Sequence, residues 1–564
     1  MTMGVTGRRV LISALGALAV GSAALAADVT GGVVQTRSGP VQAVPRGVLQ
    51  SYFAIPYAAP PVGALRWRPP QPAASWTAPL ANPKSGVACI QTAGSVFRAT
   101  AESEDCLILD VHRPVGKGPF PVMVWIHGGA FVTGSAAAYA DPTPLVSQGV
   151  IVVAVNYRLG ALGFLAHPGL RDGDGASGNY GIMDQQAALR WVRDNIAAFG
   201  GDPRNVTLFG ESAGGFSVLS HLASPGSAGL FRKAIIESGA YGVSGQLTQA
   251  DMESRSRDAV THVLADAGTD TPAACHDGVQ TAACLRALPL SLVQGRLMKA
   301  FNTAVPNIIP SIDGKVLPRS IKATFAAGAN NRVPVINGSN ENENLLFLAL
   351  NELGQRLSAK PPVLDASNRS FLMTPEAYAK GAEALSAESG VPVAELTGQA
   401  YPLSAFGADT ALRPSLAAAA AGTDSTFSCN GINVSARIAA QGSPVWMYEF
   451  RDQSSPPLVG RFGGKYVLSL PQGAAHASEL PYVFNMVDLG SPDRQALKDI
   501  LAGYWAGFAR TDDPNGAGRP AWPAFHDGRI QALDVTARGG VAPMAASAFR
   551  TEHKCDTVWA RQTF

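Results

Sequence analysis

Six apolar, β-branched runs punctuate the chain: Phe120–Gly129, Gly149–Arg158, Asn205–Ser212, Lys233–Gly239, Val333–Ser339 and Ser443–Phe450. Each is apolar at consecutive positions rather than at every second one, the pattern of a strand covered on both faces. Between them lie helical stretches such as Met183–Gly200, where Ala187, Leu189, Trp191, Val192 and Ile196 make an apolar stripe. Strands alternating with helices predict a layered α/β architecture with a mostly parallel central sheet flanked by helices. Ligands of such sheets bind beyond the carboxyl ends of the strands. Segments 240–332 and 344–428 lack strand runs and are expected to be loop and helix insertions that wall a pocket. No linker or fixed-period repeat divides the chain, so 564 residues are read as one decorated domain.

One strand end carries chemistry. In Gly210-Glu211-Ser212-Ala213-Gly214 a serine follows an apolar run and opens a helical one. At so tight a strand-to-helix corner the nucleophile's backbone is strained, and side chains two residues to either side would collide with neighbouring backbone. The turn exposes the hydroxyl beside a helix N-terminus, whose N–H groups favour developing negative charge. A serine hydroxyl needs a base, and the base needs an orienting acid. Of nine histidines, His476 lies far C-terminal to the serine in the small-residue loop of "GAAHASELPYVF", as the order serine, acid, histidine requires. Between them "PVINGSNENENLLFL" offers Glu341 and Glu343 just past a strand, and spacing does not choose between them. Asp313, in a turn-like segment, is a weaker candidate. The corner His127-Gly128-Gly129-Ala130, after an earlier strand, offers unshielded backbone N–H groups for an oxyanion.

Arg8 and Arg9, an apolar run and Ala24-Leu25-Ala26 read as a secretory signal over residues 1–26, with the arginine pair leaving a twin-arginine route open. Removing it lowers Lys+Arg from 44 to 42, level with 42 Asp+Glu. A neutral mature chain has no basic field for nucleic acid or anionic membranes, and no stable membrane insertion is expected. Outside the reducing cytosol disulfides persist. Six cysteines allow 15 connectivities. Cys89 with Cys106 and Cys275 with Cys284 are near enough to close small loops, leaving Cys429 with Cys555. Buried free thiols are the alternative. No Cys or His spacing suggests a metal site.

Several segments together resemble the type-B carboxylesterase/lipase family of α/β-hydrolases, para-nitrobenzyl-esterase-like and related to the cholinesterases. "FGGDPRNVTLFGESAGG" (199–215) is similar to its serine signature and "SEDCLILDV" (103–111) to a second one. "IPYAAPPVGALRWRPPQP" (55–72), "NYRLGALGFL" (156–165) and "HASELPYVF" (476–484) also match, so the resemblance runs from about residue 30 to the C-terminus. It implies Ser212 as nucleophile, His476 as base and Glu343 as acid, because the motif G-x-N-x-x-E-G falls on Gly338 to Asn344, with Asn344 in place of the usual glycine. It implies oxyanion donors at the amides of Gly129, Ala130 (a commoner glycine replaced) and Ala213. The proposed cysteine pairs match the family arrangement; Arg66 with Glu104 and Arg158 with Asp184 resemble its structural ion pairs, and Glu211 and Ser238 resemble neighbours of the triad.

The implied activity is exported carboxylic ester hydrolysis through an acyl-enzyme, on a small-molecule ester, with no metal or organic cofactor. A cholinesterase fits poorly, because the stretch from Cys89 to Cys106 lacks a tryptophan to stack choline. A lipase for longer-chain esters and a non-catalytic binding protein of the same fold are the alternatives. The second would have no use for Ser212, Glu343 and His476 together.

Overall fold

A computed structural model describes residues 32–561, apart from 93–100, 172, 174, 244, 269–270 and 276–278. The signal expected over residues 1–26 lies outside the described residues. Eleven strands form the main sheet: β1 (Val44–Arg46), β2 (Leu49–Pro56), β3 (Ile108–Pro114), β4 (Phe120–Ile126), β5 (Ile151–Val155), β6 (Gly201–Glu211), β7 (Lys233–Glu237), β8 (Val335–Asn340), β9 (Val445–Phe450), β10 (Arg529–Leu533) and β11 (Ala542–Ala545). Their spatial order is β11-β10-β9-β8-β7-β6-β4-β5-β3-β2-β1. All six apolar runs are strands of its parallel centre, from β5 and β4 across to β9. The β1, β2, β3 and β11 pairings are antiparallel, so the sheet is mixed at its margins.

Six helices bear on the site: α1 (Tyr180–Asn195), α2 (Ala213–Ala223), α3 (Leu345–Ser358), α4 (Arg413–Gly422), α5 (Cys429–Ala440) and α6 (Pro492–Thr511). Continuous apolar runs are explained by two cores, one on each face. Val122, Val124, Ile126, Leu208, Ala234 and Ile236 join the core that α1 and α2 cover with Leu189, Val192, Phe216 and Leu219. Their sequence neighbours Met123, Trp125, Phe209 and Ile235 point the other way, into the core that α6 closes with Leu497, Leu501, Trp505 and Phe508. Side chains alternate along a strand, so burying both faces makes most positions apolar, and the polar ones present, such as Thr207 and Asn337, are buried as well. The helix expected over 183–200 begins three residues earlier, at Tyr180, and ends in a tight turn over Ile196–Phe199.

The insertions are helical as expected. They include the α3 to α5 region, where a π-helical turn, Thr423–Ser428, joins α4 to α5. Among the described residues no helix is long and apolar enough to cross a membrane. All six cysteines pair, Cys89–Cys106, Cys275–Cys284 and Cys429–Cys555, with Cα separations of 5.0, 4.7 and 5.2 Å, leaving no free cysteine. Two ion pairs anticipated from the sequence form inside the protein: Arg66 with Glu104 at 2.6 Å and Arg158 with Asp184 at 2.8 Å.

The Cys429–Cys555 bridge spans 126 residues, a loop long enough for its closure to cost the unfolded chain on the order of 4 kcal/mol. A Cys429→Ser/Cys555→Ser double variant should unfold at a clearly lower urea midpoint with the fold intact. Thiol titration of the denatured, unreduced wild type should find no reactive thiol.

Candidate active site

The strand β6 ends at Glu211 and α2 begins at Ala213, leaving one residue to turn the chain. Ser212 does so at φ 56°, ψ −120°, a region costly for a residue with a side chain. The glycines around it are there for contact. A Cβ on Gly214 would lie 1.9 Å from the Ile126 carbonyl oxygen, and one on Gly210 would lie 2.6 Å from that same oxygen. Ser212 accepts a hydrogen bond from Phe216 N through its carbonyl and donates one from its own N to the Glu237 carbonyl, at 2.8 and 2.9 Å. The corner is thereby tied to the ends of both flanking strands, β4 and β7.

Past β4 the chain turns at His127-Gly128-Gly129-Ala130. His127 stacks on Tyr157 with ring centroids 4.5 Å apart, and burial pulls its pKa down to about 4, keeping it neutral. A Cβ on Gly128 would meet the Ser212 Cβ at 3.0 Å, which places this turn against the serine. Ala130 takes φ 53°, a left-handed conformation held despite its Cβ. Among the described residues the amides of Gly129 and Ala130 donate no hydrogen bond. Ala213, as first residue of α2, has one of the N–H groups that a helix leaves unpaired. Three free donors thus lie in segments bordering Ser212.

The loop after β8 carries both glutamates, and the structure separates them. Glu343 is fully buried; its Oε2 lies 2.5 Å from His476 Nδ1, while Oε1 accepts from Ser238 Oγ at 2.5 Å and Asn340 N at 2.8 Å. The His476 amide also donates to the Glu343 carbonyl at 3.2 Å. Glu341 points elsewhere, pairing with Arg451 at 3.0 Å and accepting from Gln453 at 2.5 Å. Asp313 is spent on a turn, accepting from the amides of Lys315 and Leu317 and from Asn179. The unusual Asn344 packs its amide against α4 at Gly422, where a Cβ would lie 2.2 Å away, so one substitution is accommodated by another small residue.

The second imidazole nitrogen does not meet the serine here. His476 Nε2 lies 3.0 Å from Glu211 Oε1, and among the described residues no hydrogen bond joins Ser212 to His476. Burial alone would depress the His476 pKa, but the charges of Glu211 and Glu343 overrule it and raise it well above the usual imidazole value. Two further buried glutamates, unanticipated from the sequence, complete an acidic cluster. Glu479 accepts from Asn340 Nδ2 at 2.5 Å and Glu237 from Trp505 Nε1 at 3.0 Å. Burial, then the charge of Glu211, pushes the Glu479 carboxyl up to about 8, and Glu237 is also raised, by burial and by Glu479. Their sequence signal was proximity: Glu479 lies three residues past His476, and Glu237 precedes Ser238. Phe347 and Phe427 flank the imidazole at 5.1 and 5.0 Å. Among the described residues no cluster of three His, Cys, Asp or Glu could hold a metal.

A parallel-centred sheet with a strained serine at the tip of one strand and a histidine–carboxylate pair beyond two others defines an α/β-hydrolase. Residues 27–557 match the model of the "Carboxylesterase family". The chain is 35% identical to the fumonisin B1 esterase of Sphingopyxis macrogoltabida over 517 residues, covering 87% of this chain and 84% of that one. It is 33% identical to the para-nitrobenzyl esterase of Bacillus subtilis (strain 168) over 514 residues, 88% and 93% of the two chains. A solved PNB esterase structure superposes with a TM-score of 0.69 at 32% identity, over 92% of this chain and 99% of that chain. The chain belongs to the carboxylesterase family, as a type-B member, and is a carboxylic ester hydrolase acting on small-molecule esters.

An imidazole between two carboxylates keeps its proton beyond the usual range. The folded pKa is raised, so this charge stabilises the fold fully below about pH 6.5 and loses its contribution as pH rises through the higher folded value. Histidine NMR should find the titration midpoint of His476 above the ordinary imidazole value, and Glu211→Gln should lower that midpoint. A midpoint at or below the ordinary imidazole value would contradict this.

Proposed function

We propose that the chain is an exported serine carboxylesterase whose nucleophile is Ser212, with His476 as general base and Glu343 as its orienting acid. The observation that most supports it is the buried contact of Glu343 Oε2 with His476 Nδ1 at 2.5 Å, at the same sheet edge where the Ser212 corner emerges. That contact fixes the tautomer, placing the proton on Nδ1 of the neutral ring and leaving Nε2 as acceptor. On substrate binding Nε2 leaves its proton with the Glu211 carboxylate 3.0 Å away and, now neutral, accepts from the Ser212 hydroxyl, since catalytic hydrogen bonds often tighten only in the Michaelis complex. Ser212 Oγ attacks the ester carbonyl as His476 takes its proton. The carbonyl oxygen becomes an oxyanion facing the amides of Gly129, Ala130 and Ala213, each worth about 2.7–4 kcal/mol in the transition state. His476 then protonates the departing alcohol, giving an acyl-enzyme. Water, activated by the same imidazole, hydrolyses it and restores Ser212.

Residues 1–26 act in this reading as a signal removed on export, leaving residues 27–564 as a single catalytic domain. The three disulfides support an oxidising destination.

With p-nitrophenyl acetate, Ser212→Ala should lose at least ~10³-fold in kcat and His476→Ala should abolish turnover. Glu343→Gln should lose roughly 10²–10⁴-fold, whereas Glu341→Gln should keep most activity. Wild-type rates in Ser212→Ala would overturn the nucleophile, and the reverse order of the two glutamate variants would overturn the acid. Sequencing the exported protein from its N-terminus should begin at Ala27.

A further inference from the structure

One buried imidazole has no part in the mechanism above. His553 follows the C-terminal helix Ala546–Glu552 and is 3% exposed. Its Nδ1 lies 2.6 Å from Asp424 Oδ1 and its Nε2 lies 2.6 Å from Glu449 Oε1. A neutral imidazole donates from one nitrogen only. With a carboxylate at each nitrogen, the ring donates from both and carries a positive charge. Burial opposes that charge, and Glu449 and Asp424 outweigh it. Glu449 belongs to β9, which pairs with β8, the strand that leads into the acid loop. Arg451 pairs with Glu449 and with Glu552, and Lys554 Nζ lies 3.6 Å from Asp424. The Tyr401 hydroxyl donates to Asp424 Oδ2 at 2.7 Å.

Asp424 sits in the π-helical turn Thr423–Ser428, and that turn reaches three places. Its first residue, Thr423, accepts through Oγ1 from the Asn344 amide at 3.1 Å, one residue past the acid Glu343. Its second, Asp424, is the residue that His553 and Tyr401 hold. Its fifth, Phe427, lies 5.0 Å from the His476 ring. Phe427 also stacks at 6.0 Å on Phe347, which stands 5.1 Å from the same imidazole. Turns of this kind are rare and concentrate at functional sites. On the function proposed above, on which this inference rests, Nε2 of His476 moves between Glu211 and the Ser212 hydroxyl. Proton transfer needs a contact of about 2.6–3.2 Å, and the two phenyl rings bound the imidazole as it turns. A shift of Phe427 therefore reaches the base, and a misplacement of about 1 Å can cost on the order of 10²-fold in rate.

We propose that His553 is a positioning residue for the reaction: by bridging Asp424 to Glu449 it holds the π-helical turn to the sheet and so keeps Phe427 against the His476 imidazole. The Cys429–Cys555 bridge fastens the far end of the turn, and His553 fastens the near end. The C-terminal segment thereby acts on the base from behind, without touching substrate.

The test is a cycle of His553→Gln, Phe427→Leu and the double variant, assayed with p-nitrophenyl acetate. Active sites are counted by reaction with diethyl p-nitrophenyl phosphate carried to completion, so that unfolded molecules do not enter kcat. His553→Gln is expected to lower kcat per titrated site about 10-fold while KM changes less than about 2-fold. In the Phe427→Leu background the same substitution should cost less than about 2-fold, because the two residues act on one path. A kcat per site equal to the wild type's, or the same fold loss in both backgrounds, overturns the proposal. If His553→Gln yields too few folded sites, Tyr401→Phe carries the same cycle, since it removes one donor to Asp424 and leaves every charge in place. Its expected loss is about 3-fold, the worth of a weak hydrogen bond, and the same two outcomes overturn the proposal. Ser212→Ala, assayed alongside, separates the two claims. If it is inactive while His553→Gln keeps the wild-type kcat per site, only the role of His553 fails. If it turns over at the wild-type rate, the assignment of Ser212 fails and this inference with it.

Discussion

The carbonyl oxygen of Ile126 occupies the space that a side chain at residue 214 would need. That backbone contact, between the end of β4 and the first turn of α2, holds the rest of the site in place. It brings the Gly129-Ala130 turn against Ser212, because both leave adjacent strands at the same edge. It also forces the chain at Ser212 into a positive φ, a conformation costing about 1–3 kcal/mol that persists only where its surroundings over-determine it. Here the surroundings are the two buried cores, which lock β4, β6 and β7 in register from both faces.

Charge is the second constraint. Four glutamates, Glu211, Glu237, Glu343 and Glu479, and one imidazole are nearly sealed from water. Carboxylates packed so closely cannot all ionise, which is why the carboxyls of Glu237 and Glu479 are driven toward the neutral form. Neutral acids can then hydrogen-bond without adding to the repulsion around His476. Glu211 and Glu343, at the two ring nitrogens, hold the charge that favours the imidazolium.

A polar network braces the acid loop from behind. Arg451 bridges Glu341, Glu449 and Glu552, and His553 lies between Asp424 and Glu449 at 2.6 Å from each. Burial alone would depress the His553 pKa, but Glu449 and Asp424 push it up to about 10. Cys555, two residues on, is bonded to Cys429 at the start of α5. The C-terminal segment is thus fastened to the π-helical turn that carries Phe427 and to the strand β9 beside the acid loop.

Much of this was legible in the chain because it rests on local rules. Continuous apolar runs suit strands buried on both faces, and Gly210 and Gly214 about Ser212, after one such run and before a helical stretch, suit a crowded corner. The marginal antiparallel strands were missed, since Val44–Arg46 and Ala542–Ala545 are short and carry no apolar run. The choice between Glu341 and Glu343 came from a resemblance. Two carboxylates two residues apart in a loop have no periodicity to separate them, and only the fold places Arg451 beside one and His476 beside the other.

Sequence by itself therefore determined the layered architecture, the serine corner and the residue types at the sheet's carboxyl edge, because hydrophobic burial and backbone crowding act through near neighbours. Tertiary structure alone decided that Nε2 of His476 faces Glu211 and that four acids are buried together around it. Those groups come from segments far apart in the chain. The electrostatic cost or gain of each depends on distances that exist only once the sheet has closed around them.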